Sequence, residues 1–232
     1  MVSYRTAEME GVLWVLDTRA TGDVETAADA LLDEVPGGRV DTDDEALVAA
    51  LVARGGRLRR RAHDMEYDLS RPLPDLVELP GYAFAPVAAP EPLAAVHRLA
   101  FAPGHVDHRP DEDIDAMMRR VLAGEVIGPF VPAASWQVEH GGTVVGAVLV
   151  VDRPAFGGMS ARAWILDVFV DPAHQGRGVG DALARRAVVG AREAGFAHVG
   201  LVVSDGNPAR RTYERVGFVV TVSGTTVDLP PR

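Results

Sequence analysis

Residues 164–183 read WILDVFVDPAHQGRGVGDAL. The first seven are almost wholly apolar, as in a central strand. Asp171-Pro172 breaks that run, and glycines follow at alternate positions, 176, 178 and 180. Beyond them Val179, Leu183, Ala187 and Ala191 recur at helical spacing. A strand is therefore turned into a helix across nearly bare backbone. A helix N-terminus presents unpaired N–H groups and a partial positive charge. Glycines before it let a bulky anion touch those groups, because no Cβ intervenes. The junction demands an α/β fold. It serves either as a phosphate cradle or as a tight turn with no ligand.

Composition narrows the choice. All 23 basic residues are arginine and none is lysine. The P-loop lysine and Schiff-base chemistry are thereby excluded. The dinucleotide pattern GxGxxG fails in both registers, since Gly176-Gly178 is followed by Asp181 and Gly178-Gly180 by Leu183. There is no cysteine, so disulfides and thiolate nucleophiles are excluded. A net charge of -10 argues against a nucleic-acid surface and suits cationic small molecules. The beginning MVSYRTAEME shows no signal-peptide pattern, and no apolar run has the length of a membrane span. A cytoplasmic protein with neither nucleic-acid nor membrane partners is expected.

The proline-rich residues 70–90 begin as a linker, which suggests a division into 1–76 and 77–232. In the second part the pattern predicts a strand at 82–87 and helices at 92–101 and 110–122. A hairpin turns at His140-Gly141-Gly142-Thr143, and strands follow at 164–170 and 199–203. Asn207 and Pro208 begin a helix that Gly217 ends, and two last strands follow at 218–222 and 225–229. This is a mixed α/β (α+β) order with helices flanking a sheet that is not wholly parallel. Residues 51–69, LVARGGRLRRRAHDMEYDL, echo 213–229, YERVGFVVTVSGTTVDL, which raises an internal duplication.

Gln175-x-x-Gly178-x-Gly180, set between a strand and a helix, resembles the acyl-CoA pyrophosphate loop of the GNAT superfamily of N-acetyltransferases. SDGNPARRTYERVGF downstream resembles that family's second block, in the right order. The resemblance covers about residues 80–232. The layout is also similar to that of mycothiol synthase-like tandem proteins, with residues 1–69 as a degenerate half.

The resemblance implies a GNAT fold, acetyl-CoA as cosubstrate, an amine acceptor and no metal. It places Val168, Phe169 and Val170 beside the pantetheine arm. Gln175, Gly176, Arg177, Gly178, Val179, Gly180 and Asp181 would lie at the pyrophosphate. Asn207 would be a pantetheine ligand or a helix cap. Tyr213 corresponds to the general acid that protonates the leaving thiolate. An amine with a pKa near about 10 must lose a proton before it attacks. Asp167 is the candidate base, a substrate anchor, or a partner of a helix or loop; Glu139 is a second candidate. The alternative function is a catalytically silent acyl-CoA sensor or interaction module. Arg57, Arg59, Arg60 and Arg61 are read as a solvated or interface strand, His105, Asp107 and His108 as an exposed loop, and Met117 and Met118 as core.

Overall fold

The computed structural model describes residues 2–9, 12–20, 22–110, 112–155 and 161–231. They form two compact units that do not follow chain order. One holds residues up to 64 and those from 220 on; the other holds 65–155 and 161–219. The C-terminal strand therefore returns to the N-terminal unit.

In that unit, β1 (Val2–Met9) and β2 (Val12–Ala20) form an antiparallel hairpin. Helix α1 (Val24–Glu34) starts at Asp23, whose carboxylate accepts from Thr26 N–H at 3.0 Å. Strand β3 (Arg39–Thr42) pairs parallel to β2, and α2 (Glu45–Ala53) leads into β4 (Arg57–Asp68). Val15, Leu31, Val40, Leu47, Leu51 and Val227 fill its core. The arginine run obeys the period of two: Arg57 and Arg59 share the Asp228 carboxylate with Arg39.

The second unit contains β5 (Tyr82–Pro86), α3 (Pro90–Ala100), α4 (Ile114–Leu122), β6 (Trp136–His140), β7 (Thr143–Arg153), β8 (Arg162–Val170), α5 (Val179–Glu193), β9 (His198–Ser204) and α6 (Ala209–Val216). Its strand order is β4-β9-β8-β7-β6-β5. Side chains alternate across β7. Ala147 and Leu149 face the cluster that holds Leu93, Met118 and Val121, from α3 and α4. Val148 and Val150 face the cluster that holds Leu183, Ala187 and Ala191, from α5.

Three sequence expectations change here. Helix α4 begins at Ile114 rather than 110, because the Asp113 carboxylate caps it by accepting from Ala116 N–H at 3.0 Å. The two expected last strands are one, β10 (Val219–Asp228). The proline-rich segment is no free linker. Prolines 72, 74 and 80 give its backbone no ladder, and arginines of α5 take its carbonyls instead. Arg192 donates to Arg71 O at 3.3 Å, as well as to Leu69 O just before the segment at 2.8 Å, Arg185 to Asp75 O at 3.2 Å and Arg186 to Val77 O at 3.0 Å. The Arg186 guanidinium also lies 3.5 Å from the centre of the Phe84 ring.

Candidate active site

The site forms where two neighbouring parallel strands separate. Strands β8 and β9 pair only at Ala163–Val199 and Trp164–Gly200. Beyond Trp164 the β9-facing edge of β8 has no ladder partner among the described residues, although β8 runs on to Val170 and β9 to Ser204. Main-chain groups of Val168 and Val170 on that edge are therefore available to an extended ligand, while those of Phe169 alternate toward β7, in step with Asp171 N–H, which donates to Val145 O at 2.8 Å. A β-bulge adds to this opening. On β7, Leu149 faces Asp167 and Val150 faces Ile165, so Leu166 is the extra residue. Such a bulge re-aims the side chains beside it. Leu166, Asp167 and Val168 are the partly exposed residues of a strand otherwise buried.

The glycine loop follows the open end of β8. The Gln175 amide donates to Val170 O at 3.0 Å, which ties the loop to the strand end. Gly176 and Gly178 have φ of +72° and +84°, the left-handed region that favours glycine. Gly178 is the N-cap of α5 and supplies no side-chain cap. The helical ladder begins at Ala182 N–H, which donates to Gly178 O at 3.0 Å, so the earlier amides of the turn point outward. At Gly180 the backbone is ordinary for a helix, and an added Cβ would meet only the Val170 side chain, at 4.0 Å. Neither strain nor internal packing requires glycine there. A bulky partner approaching from outside would. Arg177 is exposed and makes no ion pair among the described residues. The Asp181 carboxylate instead takes Arg185 at 2.5 Å, with Arg215 at 3.9 Å.

Around the splay stand groups drawn from far apart in the sequence. Asp167 Oδ2 lies 2.9 Å from His97 Nε2, with side chains 16% and 8% exposed. His97 sits on the buried face of α3 with Leu93 and Ala94, between the rings of Phe101 and Phe169, centred 4.5 and 5.3 Å away. Asp107 accepts from the Ser204 hydroxyl at the end of β9 and from Asn207 Nδ2 at 2.9 Å. Asn207 Oδ1 accepts from Ala209 N–H at 2.9 Å. Both ends of the Asn207 amide are thus engaged within the chain, and it organises Asp107 and the start of α6.

Tyr213 is buried on α6, its ring edge-on to Phe218 with centroids 6.0 Å apart. Its hydroxyl makes no hydrogen bond among the described residues. Burial raises its pKa above the ordinary phenol value, and the charges of Asp167 and then Asp107 raise it further. The phenol therefore stays protonated at neutral pH and lies within electrostatic reach of both carboxylates. A site of this kind offers a carboxylate base and a neutral phenolic acid beside a cradle for an anion.

The family resemblance groups Asp167, Tyr213 and the loop; in the structure Asp167 lies on the unpaired stretch of β8, the loop is tied to the end of that strand, and the Asp167 charge acts on the Tyr213 phenol. Glu139 lies elsewhere in its contacts: it accepts from Gln137 Nε2 at 2.8 Å on its own strand. His97 and Asp107 were missed as members. His97 left one signal, a polar residue on an apolar helical stripe; Asp107 left none. His105, Asp107 and His108 do lie in a loop, but Asp107 is only partly exposed and tied down. No group of three or more metal-ligating side chains occurs among the described residues.

Comparison with known proteins agrees with this geometry. Residues 101–218 match the acetyltransferase (GNAT) family model. The chain belongs to that family. Streptothricin acetyltransferase of Streptomyces lavendulae is 41% identical over 73 residues, which span 29% of this chain and 39% of the relative. The fold is that of a GCN5-related N-acetyltransferase from Sphaerobacter thermophilus, with TM-score 0.64, 18% identity and coverage of 88% of this chain and 65% of that one. A GCN5-related N-acetyltransferase from Kribbella flavida has TM-score 0.58 and 18% identity, with coverage of 99% and 91%. These matches support the superfamily and do not single out the mycothiol synthase-like group.

Proposed function

We propose that this chain is an acetyl-CoA-dependent N-acetyltransferase that passes the acetyl group directly to an amine. The observation that supports it most is one juxtaposition. An uncapped helix N-terminus with glycines at 176, 178 and 180 lies at the open end of a splayed strand pair, beside a carboxylate and a protonated phenol.

In this reading the loop amides from Gly176 to Asp181 hold the pyrophosphate, and Arg177 adds charge. The open edge at Val168 and Val170 receives the pantetheine arm through main-chain bonds. Asp167 takes a proton from the acceptor ammonium, and the freed nitrogen pair forms a bond to the thioester carbonyl carbon. As the tetrahedral centre collapses, the C–S bond breaks and sulfur leaves with its electron pair. The Tyr213 hydroxyl gives that sulfur a proton, the bonded nitrogen releases its surplus proton to solvent, and solvent then reprotonates Tyr213 and takes the proton from Asp167. The Asp167 and Asp107 charges also favour a cationic acceptor. Streptothricin, named in one relative's activity, belongs in a first panel of small amines. Residues 1–76, proposed as a degenerate GNAT-like piece, have no second Gln-x-x-Gly-x-Gly. One acetyl-CoA per chain is therefore expected.

Calorimetric titration with acetyl-CoA tests the reading. The parent should bind one equivalent. Gly178→Glu should bind at least about a hundredfold more weakly, because bulk and negative charge meet the pyrophosphate there. Equal affinity in the two proteins, or two equivalents per chain, would contradict it.

A further inference from the structure

We infer that His97 is a positioning residue. It fixes Asp167 by donating Nε2–H to Oδ2, leaves Oδ1 to the acceptor amine, and keeps the abstracted proton on the carboxylate. This takes Asp167 as the base of the reaction proposed above.

The geometry assigns the tautomer. His97 Nδ1 is buried and has no hydrogen-bond partner among the described residues. If Nδ1 carried a proton, a buried N–H would have no acceptor, which is among the rarer defects of folded proteins. With Nδ1 bare, the ring is neutral and its proton sits on Nε2, 2.9 Å from Asp167 Oδ2. The imidazole is then only a donor toward the carboxylate. A proton delivered to the pair cannot settle on Nδ1 without creating that buried N–H. It stays on Asp167.

The ring is held to this task. His97 is 7% exposed and packed between Phe101 and Phe169. Phe169 lies two residues beyond Asp167 on the same strand, so the packing that seats the imidazole belongs to the strand it serves. Asp167 sits beside a β-bulge with its β9-side ladder missing, where a carboxylate has few other restraints. Its Oδ1 carries no hydrogen bond among the described residues and its side chain is partly exposed. One oxygen is anchored and the other is left without a partner among the described residues. Nδ1 is too buried to touch substrate, so His97 acts through Asp167.

Two measurements test this. Long-range proton–nitrogen NMR on isotope-labelled full chain reads the tautomer without any acceptor, with the His97 signals assigned by their loss in His97→Gln. At neutral pH the ring should be neutral with the proton on Nε2. An Nδ1–H tautomer or an imidazolium would overturn the assignment. The second measurement uses whichever amine of the panel is acetylated. His97→Gln keeps an N–H donor and should retain kcat within about threefold, as a hydrogen bond of similar geometry is kept. His97→Phe keeps a ring but no donor, and should lose about a hundredfold in kcat through misplacement of the base. Acetyl-CoA affinity should hold in both. Equal losses in the two variants, or none in either, would overturn the role. Failure of the parent to bind acetyl-CoA would instead refute the acetyltransferase reading, while the tautomer still decides whether His97 anchors Asp167.

Discussion

Replacing Tyr213 by phenylalanine separates chemistry from packing at this site. The ring fills a buried place against Phe218, while the hydroxyl makes no hydrogen bond among the described residues. Tyr213→Phe therefore removes a proton donor and leaves no partner unsatisfied. Stability should change by no more than about 0.5 kcal/mol, or about 2 °C in Tm for a chain of this size. Tyr213→Ala removes the ring as well. An aromatic-to-alanine change in a core costs about 3–5 kcal/mol, so its Tm should fall by about 6–20 °C. Chemistry should follow the hydroxyl in both. Loss of general acid assistance predicts a fall in kcat of about a hundredfold in Tyr213→Phe, or about 2.7 kcal/mol in the barrier. Calorimetric affinity for acetyl-CoA should stay within about twofold, because the ring is retained and the pyrophosphate is held at the loop. Thermal melts, titration and steady-state rates on the three proteins complete the assay. A parental rate for Tyr213→Phe, with chemistry shown to be rate-limiting, would reassign the residue to packing. A joint fall in affinity and Tm for that variant would show that its hydroxyl is structural.

The same phenol predicts a pH effect. Its folded pKa is raised above the unfolded value by burial and then by Asp167 and Asp107. Its contribution to stability is full below about pH 10, the unfolded value, and is lost as pH rises beyond it. Tyr213→Phe should therefore lose less stability than the parent above about pH 10, and parallel losses in denaturant melts would refute the shift. Asp107→Ala removes the acceptor of the Ser204 hydroxyl and of Asn207 Nδ2, with Ser204 only 3% exposed. It should cost about 1–3 kcal/mol and lower Tm by about 2–12 °C, and an unchanged melt would contradict the role given to Asp107.

What could be read in the sequence was local. The glycine spacing carried the loop, because a left-handed N-cap and a bare first turn need glycine at fixed offsets. Strand β8 and helix α5 were legible from apolar period alone. The unread parts depend on distant pairings. His97 meets Asp167 across 70 residues, and its helix pattern looks the same with or without that partner. Asp107 meets Ser204 and Asn207 across 97 and 100 residues, from a loop with no periodicity. The proline-rich segment has the composition of a linker, yet three arginines of α5 bind its carbonyls. Arginine on a helix reads as solvated until its acceptors are known. The return of β10 to the first unit was hidden for a different reason, since Ser223-Gly224 reads as a break between two β-branched runs, and such runs do not show where a strand changes neighbours.

The most direct test of acetyl transfer is product detection. The full chain is incubated with acetyl-CoA and a panel of small amines that includes streptothricin, and N-acetylated products are sought by mass spectrometry. The expected result is acetylation of at least one amine by the parent, falling about a hundredfold or more in Asp167→Asn and in Tyr213→Phe, with acetyl-CoA still bound by all three. Acetyl-CoA bound by the parent with no amine acetylated would contradict the enzyme reading and favour a silent acyl-CoA sensor. Parental turnover by Asp167→Asn would contradict the assigned base.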